Sequence, residues 1–179
     1  MRYLIAFFGS LLASLVLTPL FRRLALRIGA LDEPGQGKLH TEPIPYLGGV
    51  AMYLAFLVGA TLGGARDAFI FLGLCAAVLV LGLYDDARGC HPAVKLSVQL
   101  SAAYLALKAG LGLEGLVHPF GMPITLGPLA LPIALLWLVG MSNATNLIDG
   151  LDGLAGGVVS ISSAFISVLA MFWRDDLPC

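Results

Sequence analysis

The sequence predicts an all-α fold, a polytopic membrane helical bundle with about six transmembrane helices. Three observations carry that prediction. Charged residues make up only 12% of the chain and hydrophobic ones 59%, whereas a soluble domain carries about a quarter charged residues. So few charges cannot cover a water-facing surface, and the mean hydropathy of +0.93 agrees. Finally, apolar runs close to the roughly 20 residues that a spanning helix needs recur at 3–21, 46–64, 68–84, 93–111, 126–142 and 154–173.

The first run, YLIAFFGSLLASLVLTPLF, is preceded by a single basic residue, Arg2, and followed by RRLALR in place of a small-residue cleavage site. It reads as a retained transmembrane helix and not as a signal peptide. The second run opens on the glycine pair Gly48 and Gly49, and the third closes on YDDARG. Lys95 stands near the start of the fourth. The stretch GLEGLVHPFGMPITLG before the fifth run is rich in Gly and Pro, which predicts a turn or small hairpin and not a further span. Pro128 and Pro132 fall near the entrance of the fifth helix, where proline is tolerated. After the sixth run the tail FWRDDLPC carries Asp175 and Asp176, which read as a solvated end. No internal repeat or low-complexity tract is visible.

A net charge of −1 argues against a nucleic-acid partner, which requires a basic face. Cys75, Cys90 and Cys179 are widely spaced and form neither a CxxC pair nor a disulfide framework. Orientation follows from where Lys and Arg fall. With the N-terminus outside, the cytoplasmic side receives Arg22, Arg23, Arg27, Lys38, Arg88 and Lys95, while Arg2, Arg66, Lys108 and Arg174 stay outside. The segments DEPGQGKLHTEPIPYLGG, YDDARGCHPAVK and NATNLIDGLDGL then share the cytoplasmic face, and a site on that face is the working expectation. Cytoplasmic loops are expected near 22–45, 85–92 and 143–153, within a single transmembrane domain over 1–179.

Asp85 and Asp86 close an apolar helix. A carboxylate at mid-membrane costs roughly 2.5–3.5 kcal/mol on insertion scales, and less near the interface. Two acids at a helix C-terminus also oppose the macrodipole, which favours cations there. A compensating positive charge is therefore expected, from Arg88, from Lys95 or from a bound divalent ion. Adjacent carboxylates suit the holding of Mg²⁺ or the removal of a proton from a phosphate or hydroxyl, although a solvated helix-end pair is the plainer alternative. Lys95 can reach a phosphate from its place near a helix start, or snorkel to the headgroups.

In NATNLIDGLDGL, Asn143, Asn146, Asp149 and Asp152 follow one another at intervals of three. Residues three apart share a helix face, so these four predict one polar stripe of hard oxygen ligands, the type that Mg²⁺ takes. Helix caps would explain one or two of the four. In GKLHTEPIPYLGG, Gly48 and Gly49 can cradle a phosphate through backbone N–H groups or serve as packing glycines of a membrane helix.

With KLHTEPIPYLGG at 38–49, GLYDDARGCHPAVKLSVQL at 82–100 and NATNLIDGLDGLAGG at 143–157, the chain resembles the polyprenyl-phosphate N-acetylhexosamine-1-phosphate transferases of glycosyltransferase family 4. It is more similar to the undecaprenyl-phosphate GlcNAc-1-phosphate transferase branch, which starts O-antigen, enterobacterial common antigen and wall teichoic acid synthesis, than to the branch making peptidoglycan lipid I. The resemblance implies a Mg²⁺-dependent enzyme of the bacterial inner membrane, with Mn²⁺ as the alternative metal. In the implied reaction a polyprenyl phosphate attacks the β-phosphorus of a UDP-sugar such as UDP-GlcNAc, and UMP leaves. It further implies Asp85 and Asp86 as the catalytic pair that deprotonates or positions the lipid phosphate, a covalent role for one of them being the alternative. Asn146 matches a metal ligand. Lys95 matches a lysine meeting the phosphates, Asn143, Asp149 and Asp152 fall around the UDP-sugar, and Lys38 and His40 contact substrate.

Two departures from the family pattern stand out. Only Lys38, beside Gly37, precedes His40 where the family often has two basic residues. Members of the family also carry roughly ten or eleven spans, with a later metal-binding aspartate and a histidine-rich motif, so this chain matches their N-terminal portion. The expectation is therefore a transferase completed by further chain, by a second chain or by a homo-oligomer. Its competitors are a truncated, non-catalytic relative that binds lipid phosphate or a partner chain, and a small transporter using the four aspartates as an ion path.

Overall fold

Long runs of Leu, Ala, Val and Phe give six helices in the computed structural model, which describes residues 1–32, 43–65, 68–110, 116–117, 123–124, 126–149 and 153–173. They are α1 (Arg2–Ile28), α2 (Gly48–Gly63), α3 (Ala68–Arg88), α4 (Pro92–Lys108), α5 (Ala130–Ile148) and α6 (Leu154–Trp173). Two short antiparallel pairs complete the fold. Leu31–Asp32 (β1) pairs with Ile44–Pro45 (β2), and Leu116–Val117 (β3) with Pro123–Ile124 (β4). The second pair is the small hairpin that the Gly/Pro-rich stretch predicts.

Among the described residues, three helical stretches are long and apolar enough to cross a membrane, Arg2–Ile28, Phe69–Arg88 and Gly127–Ile148, and Gly48–Gly63 and Leu154–Ala170 are shorter apolar helices. The expected span 93–111 forms a helix of 17 residues carrying Lys95, Gln99 and Lys108, about 25 Å long at 1.5 Å per residue. The all-α membrane bundle stands, and the chain is a multi-pass membrane protein.

Three helices run further than hydropathy predicts. α3 continues past residue 84 through Asp85 and Asp86 to Arg88, so that the loop expected from 85 starts at Gly89. α1 continues past residue 21 through Arg22, Arg23 and Arg27, because nothing in RRLALRI breaks a helix before Gly29. Gly29 then takes the left-handed conformation (φ 72°), and the N–H groups of Gly29 and Ala30 both return to the Ala25 carbonyl, which satisfies the helix end. α5 likewise continues through Asn143 and Asn146 to Ile148, since no Gly or Pro follows Gly140 until Gly150. The loop expected from 143 therefore starts at Asp149.

The packing is inverted relative to a soluble protein. The interior is built from small residues, Ala25, Ala51, Ala55, Ala102, Ala103 and Ala134 among them, while Leu136, Trp137 and Ile161 point outward. In lipid no hydrophobic force drives helices together, and small residues that allow close approach take over. α1 and α2 show this most plainly. A Cβ on Gly59 would stand 2.9 Å from Ser10 Cβ, one on Gly9 would collide with Leu62, and one on Gly63 would meet Ala6 at 3.5 Å. Between α2 and α3 the Tyr53 hydroxyl donates to the Leu72 carbonyl at 3.1 Å, and Gly49 lies against Leu79.

These contacts run antiparallel. Gly49 near the start of α2 meets the later half of α3, and the end of α3 meets the start of α4. α4 then pairs with the later half of α5. One end of the bundle thus gathers the close of α1, the β1–β2 pair, the close of α3, the start of α4 and the close of α5. β1 touches α3, and β2 touches α1. The α4 terminus at the opposite end carries Lys108 over the Tyr104 ring, 5.6 Å from its centroid, an aromatic–cation pair of the kind found at membrane interfaces.

Candidate active site

The turn between α3 and α4 builds the first part of the site. Gly89 stops α3 with φ 72°, and its N–H bonds the Asp85 carbonyl at 2.7 Å. Three residues after Arg88, His91 caps α4, its Nδ1 accepting from the Ala93 N–H at 3.3 Å. Pro92 follows at the first helical position, where its missing N–H costs nothing. This tight reversal sets the last turn of α3 beside the first turn of α4.

The Asp85 carboxylate is held at both oxygens. Oδ1 accepts from the Cys90 N–H at 2.8 Å, and Oδ2 accepts from Lys95 Nζ at 2.7 Å. Both side chains of this ion pair are 24% exposed, which leaves it at the bundle surface and shielded on one side. The positive charge beside Asp85 is therefore Lys95. Such a charge-assisted bond is shorter and stronger than a neutral one, and it fixes the ammonium of an otherwise flexible four-carbon stem. Asp86, next along the chain, is exposed.

α5 supplies the second part. Asn143 and Asn146 lie three residues apart within the helix, and Asp149 ends it as the C-terminal cap, its N–H bonding Thr145 O. The predicted stripe is thus helical over its first two members and turns out of the helix at the third. Asn143 is half-buried, and Asn146 and Asp149 are exposed. Asp152, Lys38 and His40 lie outside the described residues.

The two parts are joined by Gln99, a residue that the sequence reading passed over. It is four residues after Lys95, so both lie on one face of α4, and it is 7% exposed. Asn143 Nδ2 donates to Gln99 Oε1 at 2.8 Å, and Gln99 Nε2 donates back to Asn143 Oδ1 at 3.5 Å. The available signal was a lone amide within an apolar helix one turn from Lys95; polar groups inside membranes face protein partners. Beside this pair a groove of about 320 Å³ opens between α3, α4 and α5, floored by Ala102, Ala103 and Ala106, with Gln99 and Ser142 on its lining.

The donors at this end, Asp86, Asn146 and Asp149, are of the hard-oxygen type that Mg²⁺ takes. Among the described residues, however, no three His, Cys, Asp or Glu come together as a metal-binding group. The donor chemistry fits a divalent cation, and the described residues supply only part of a coordination shell.

The pattern of glycosyl transferase family 4 matches residues 68–177, which include α3, α4, α5 and both parts of the site. A probable undecaprenyl-phosphate N-acetylglucosaminyl 1-phosphate transferase of Bacillus subtilis (strain 168) is 38% identical over 175 residues, covering 95% of this chain and 49% of its own length. A decaprenyl-phosphate N-acetylglucosaminephosphotransferase of Mycolicibacterium smegmatis is 32% identical over 166 residues, covering 84% of this chain and 40% of its own. An undecaprenyl-phosphate alpha-N-acetylglucosaminyl 1-phosphate transferase of Escherichia coli (strain K12) is 31% identical over 156 residues, with 84% of this chain and 42% of its own length covered. This chain thus spans about half the length, or somewhat less, of the curated relatives it matches. No solved structure matches it. With the Asp85–Lys95 pair and the α5 stripe both inside the matched region, the chain belongs to glycosyl transferase family 4.

Proposed function

We propose that the protein transfers a sugar 1-phosphate, GlcNAc-1-phosphate, from a UDP-sugar to a polyprenyl phosphate carrier, and so initiates a cell-envelope glycan such as lipopolysaccharide or teichoic acid. An oxygen of the lipid phosphate forms a bond to the β-phosphorus of the donor, the bond from that phosphorus to UMP breaks, and UMP leaves with the electron pair. The observation that carries this reading is the Asp85–Lys95 ion pair, an ammonium fixed on the first of two consecutive aspartates at the bundle end where α5 delivers Asn146 and Asp149.

Phosphoryl transfer of this kind depends mostly on positioning and charge neutralisation. Lys95, held by Asp85, faces the phosphates. Asp86 and Asp85 position the lipid phosphate and take its proton. Asp149, with Asp152, Lys38 and His40, contacts the UDP-sugar, while Asn143, expected beside them, has its amide hydrogens on Gln99 and Val139 and supports the stripe from behind. Asn146 holds Mg²⁺ or Mn²⁺, which when bound neutralises charge on the donor pyrophosphate. Residues 1–179 form the N-terminal portion of one transmembrane transferase domain. The basic residues Arg22, Arg23 and Arg27 at the close of α1 share the bundle end of Asp85, and the positive-inside rule puts that end in the cytoplasm and the N-terminus outside. The membrane is then the bacterial inner membrane.

The test is transfer of labelled sugar from UDP-GlcNAc into the butanol phase by the full-length protein in liposomes containing undecaprenyl phosphate. Labelled lipid with one UMP per transfer, lost on chelation of divalent metal, is the expected result. Labelled lipid that fails to appear with either metal restored would overturn the reading.

A further inference from the structure

We propose that Gln99 is a positioning residue, a side-chain strut that fixes α5 against α4 so that Asn146 and Asp149 stand at a set distance from the Asp85–Lys95 pair. Its catalytic consequence rests on the transferase reading above. The strut itself rests on geometry alone. Gln99 is the buried polar side chain among the described residues. The Asn143 Nδ2 that meets it also donates to the Val139 carbonyl at 2.8 Å. That carbonyl fixes the amide's orientation, since only an NH₂ can face it, and it takes the second hydrogen of Asn143. Both Asn143 donors are therefore used within the bundle, on Gln99 and on its own helix.

Asn143 then acts as a link, and its neighbours on the stripe face outward. From Gln99 the link runs one turn back along α4 to Lys95 and one turn forward along α5 to Asn146. A leucine at 99 would suit the alanine-lined surroundings, and interhelical hydrogen bonds in membranes add little to stability. What the amide pair supplies that a leucine cannot is a unique register between two helices, a use attested for buried polar pairs. A shift of about 1 Å between reacting groups can lower a rate by about a hundredfold.

The experiment compares Gln99→Leu, Gln99→Asn and the exchanged pair Gln99→Asn with Asn143→Gln, all in the full-length protein. Three readouts are used: kcat and KM for UDP-GlcNAc, the thermal midpoint, and the dipolar coupling of spin labels at Leu100 and Met141. For folded Gln99→Leu we expect kcat to fall by about ten- to a hundredfold with little change in KM or thermal midpoint, and the label spacing to shift or broaden. The exchanged pair, which keeps the summed length of the two amides, should recover both kcat and spacing relative to Gln99→Asn alone. Full kcat with unchanged spacing in Gln99→Leu would overturn the proposal. If that variant does not fold, an exchanged pair no better than Gln99→Asn would overturn it equally. Should the wild-type protein release no UMP, the transferase reading falls, and the label spacing still decides the strut.

Discussion

Between α1 and α2 the contact is made by what the side chains lack. Gly9 leaves room for Leu62, Gly59 for Ser10 and Gly63 for Ala6. Between α3, α4 and α5 it is made by polar groups, with Lys95 on Asp85 and Gln99 on Asn143. Both regions face the same difficulty, that lipid tails are as apolar as the helices themselves. The first meets it with shape alone, and shape tolerates only small residues. The second makes its interface from charges and amides, which cost more to hold in a membrane; the Asp85–Lys95 pair stands at the end where the chain leaves it, and Gln99 lies at the middle of α4. The difference separates a scaffold pair from a working face, and it predicts that substitutions in the two regions fail in different ways.

The largest effect is expected on the working face. Lys95→Met removes the ammonium and leaves Asp85 without its ion partner, and UMP release per folded protein should fall by about a hundredfold or more. Lys95→Arg should recover only part of the loss, because a planar guanidinium does not replace a compact ammonium. Wild-type rates in Lys95→Met would erase the distinction between the regions. An intermediate effect of another kind belongs to the scaffold. Gly59→Leu forces a side chain into Ser10 and should cost about 1–3 kcal/mol, read as a lower thermal midpoint in detergent, while the protein that remains folded keeps its kcat. A loss of kcat without a loss of stability would show that α1–α2 belongs to the site. The smallest effect is expected at Tyr53→Phe, which deletes the single bond to the Leu72 carbonyl. Membrane hydrogen bonds of this kind average about 0.6 kcal/mol, so a slight drop in thermal midpoint with unchanged UMP release is the expected outcome.

The legible and the hidden parts of the molecule follow the same division. Hydropathy located all six helices, because apolar runs report on lipid contact directly. It placed three boundaries short, that of α3 at Asp85 and Asp86 among them. Arg22, Arg23 and Arg27 lower a hydropathy window without breaking a helix, and so do Asn143 and Asn146. The need for a cation beside Asp85 and Asp86 was readable from the helix dipole, although Arg88, Lys95 and a bound divalent ion were equal candidates in the sequence. The choice between the two side chains depends on the Gly89–His91 reversal, which brings Lys95 to Asp85 Oδ2. Gln99 stayed hidden because one amide in a run of Leu, Ala, Val and Ser shifts no average. Its meaning lies in Asn143, 44 positions away in sequence, and no local pattern connects the two. The β1–β2 pair was hidden as well, since two-residue strands carry no periodicity.

The most direct test of the account is a double-mutant cycle on Asp85 and Lys95, with polyprenyl phosphate-dependent UMP release per folded protein as the measured rate. If the ion pair works as one unit, Asp85→Asn and Lys95→Met each lower the rate by about a hundredfold or more. The double variant is then hardly slower than either single one, as expected for residues that act together. Losses that multiply in the double variant, or a wild-type rate in either single variant, would contradict the account.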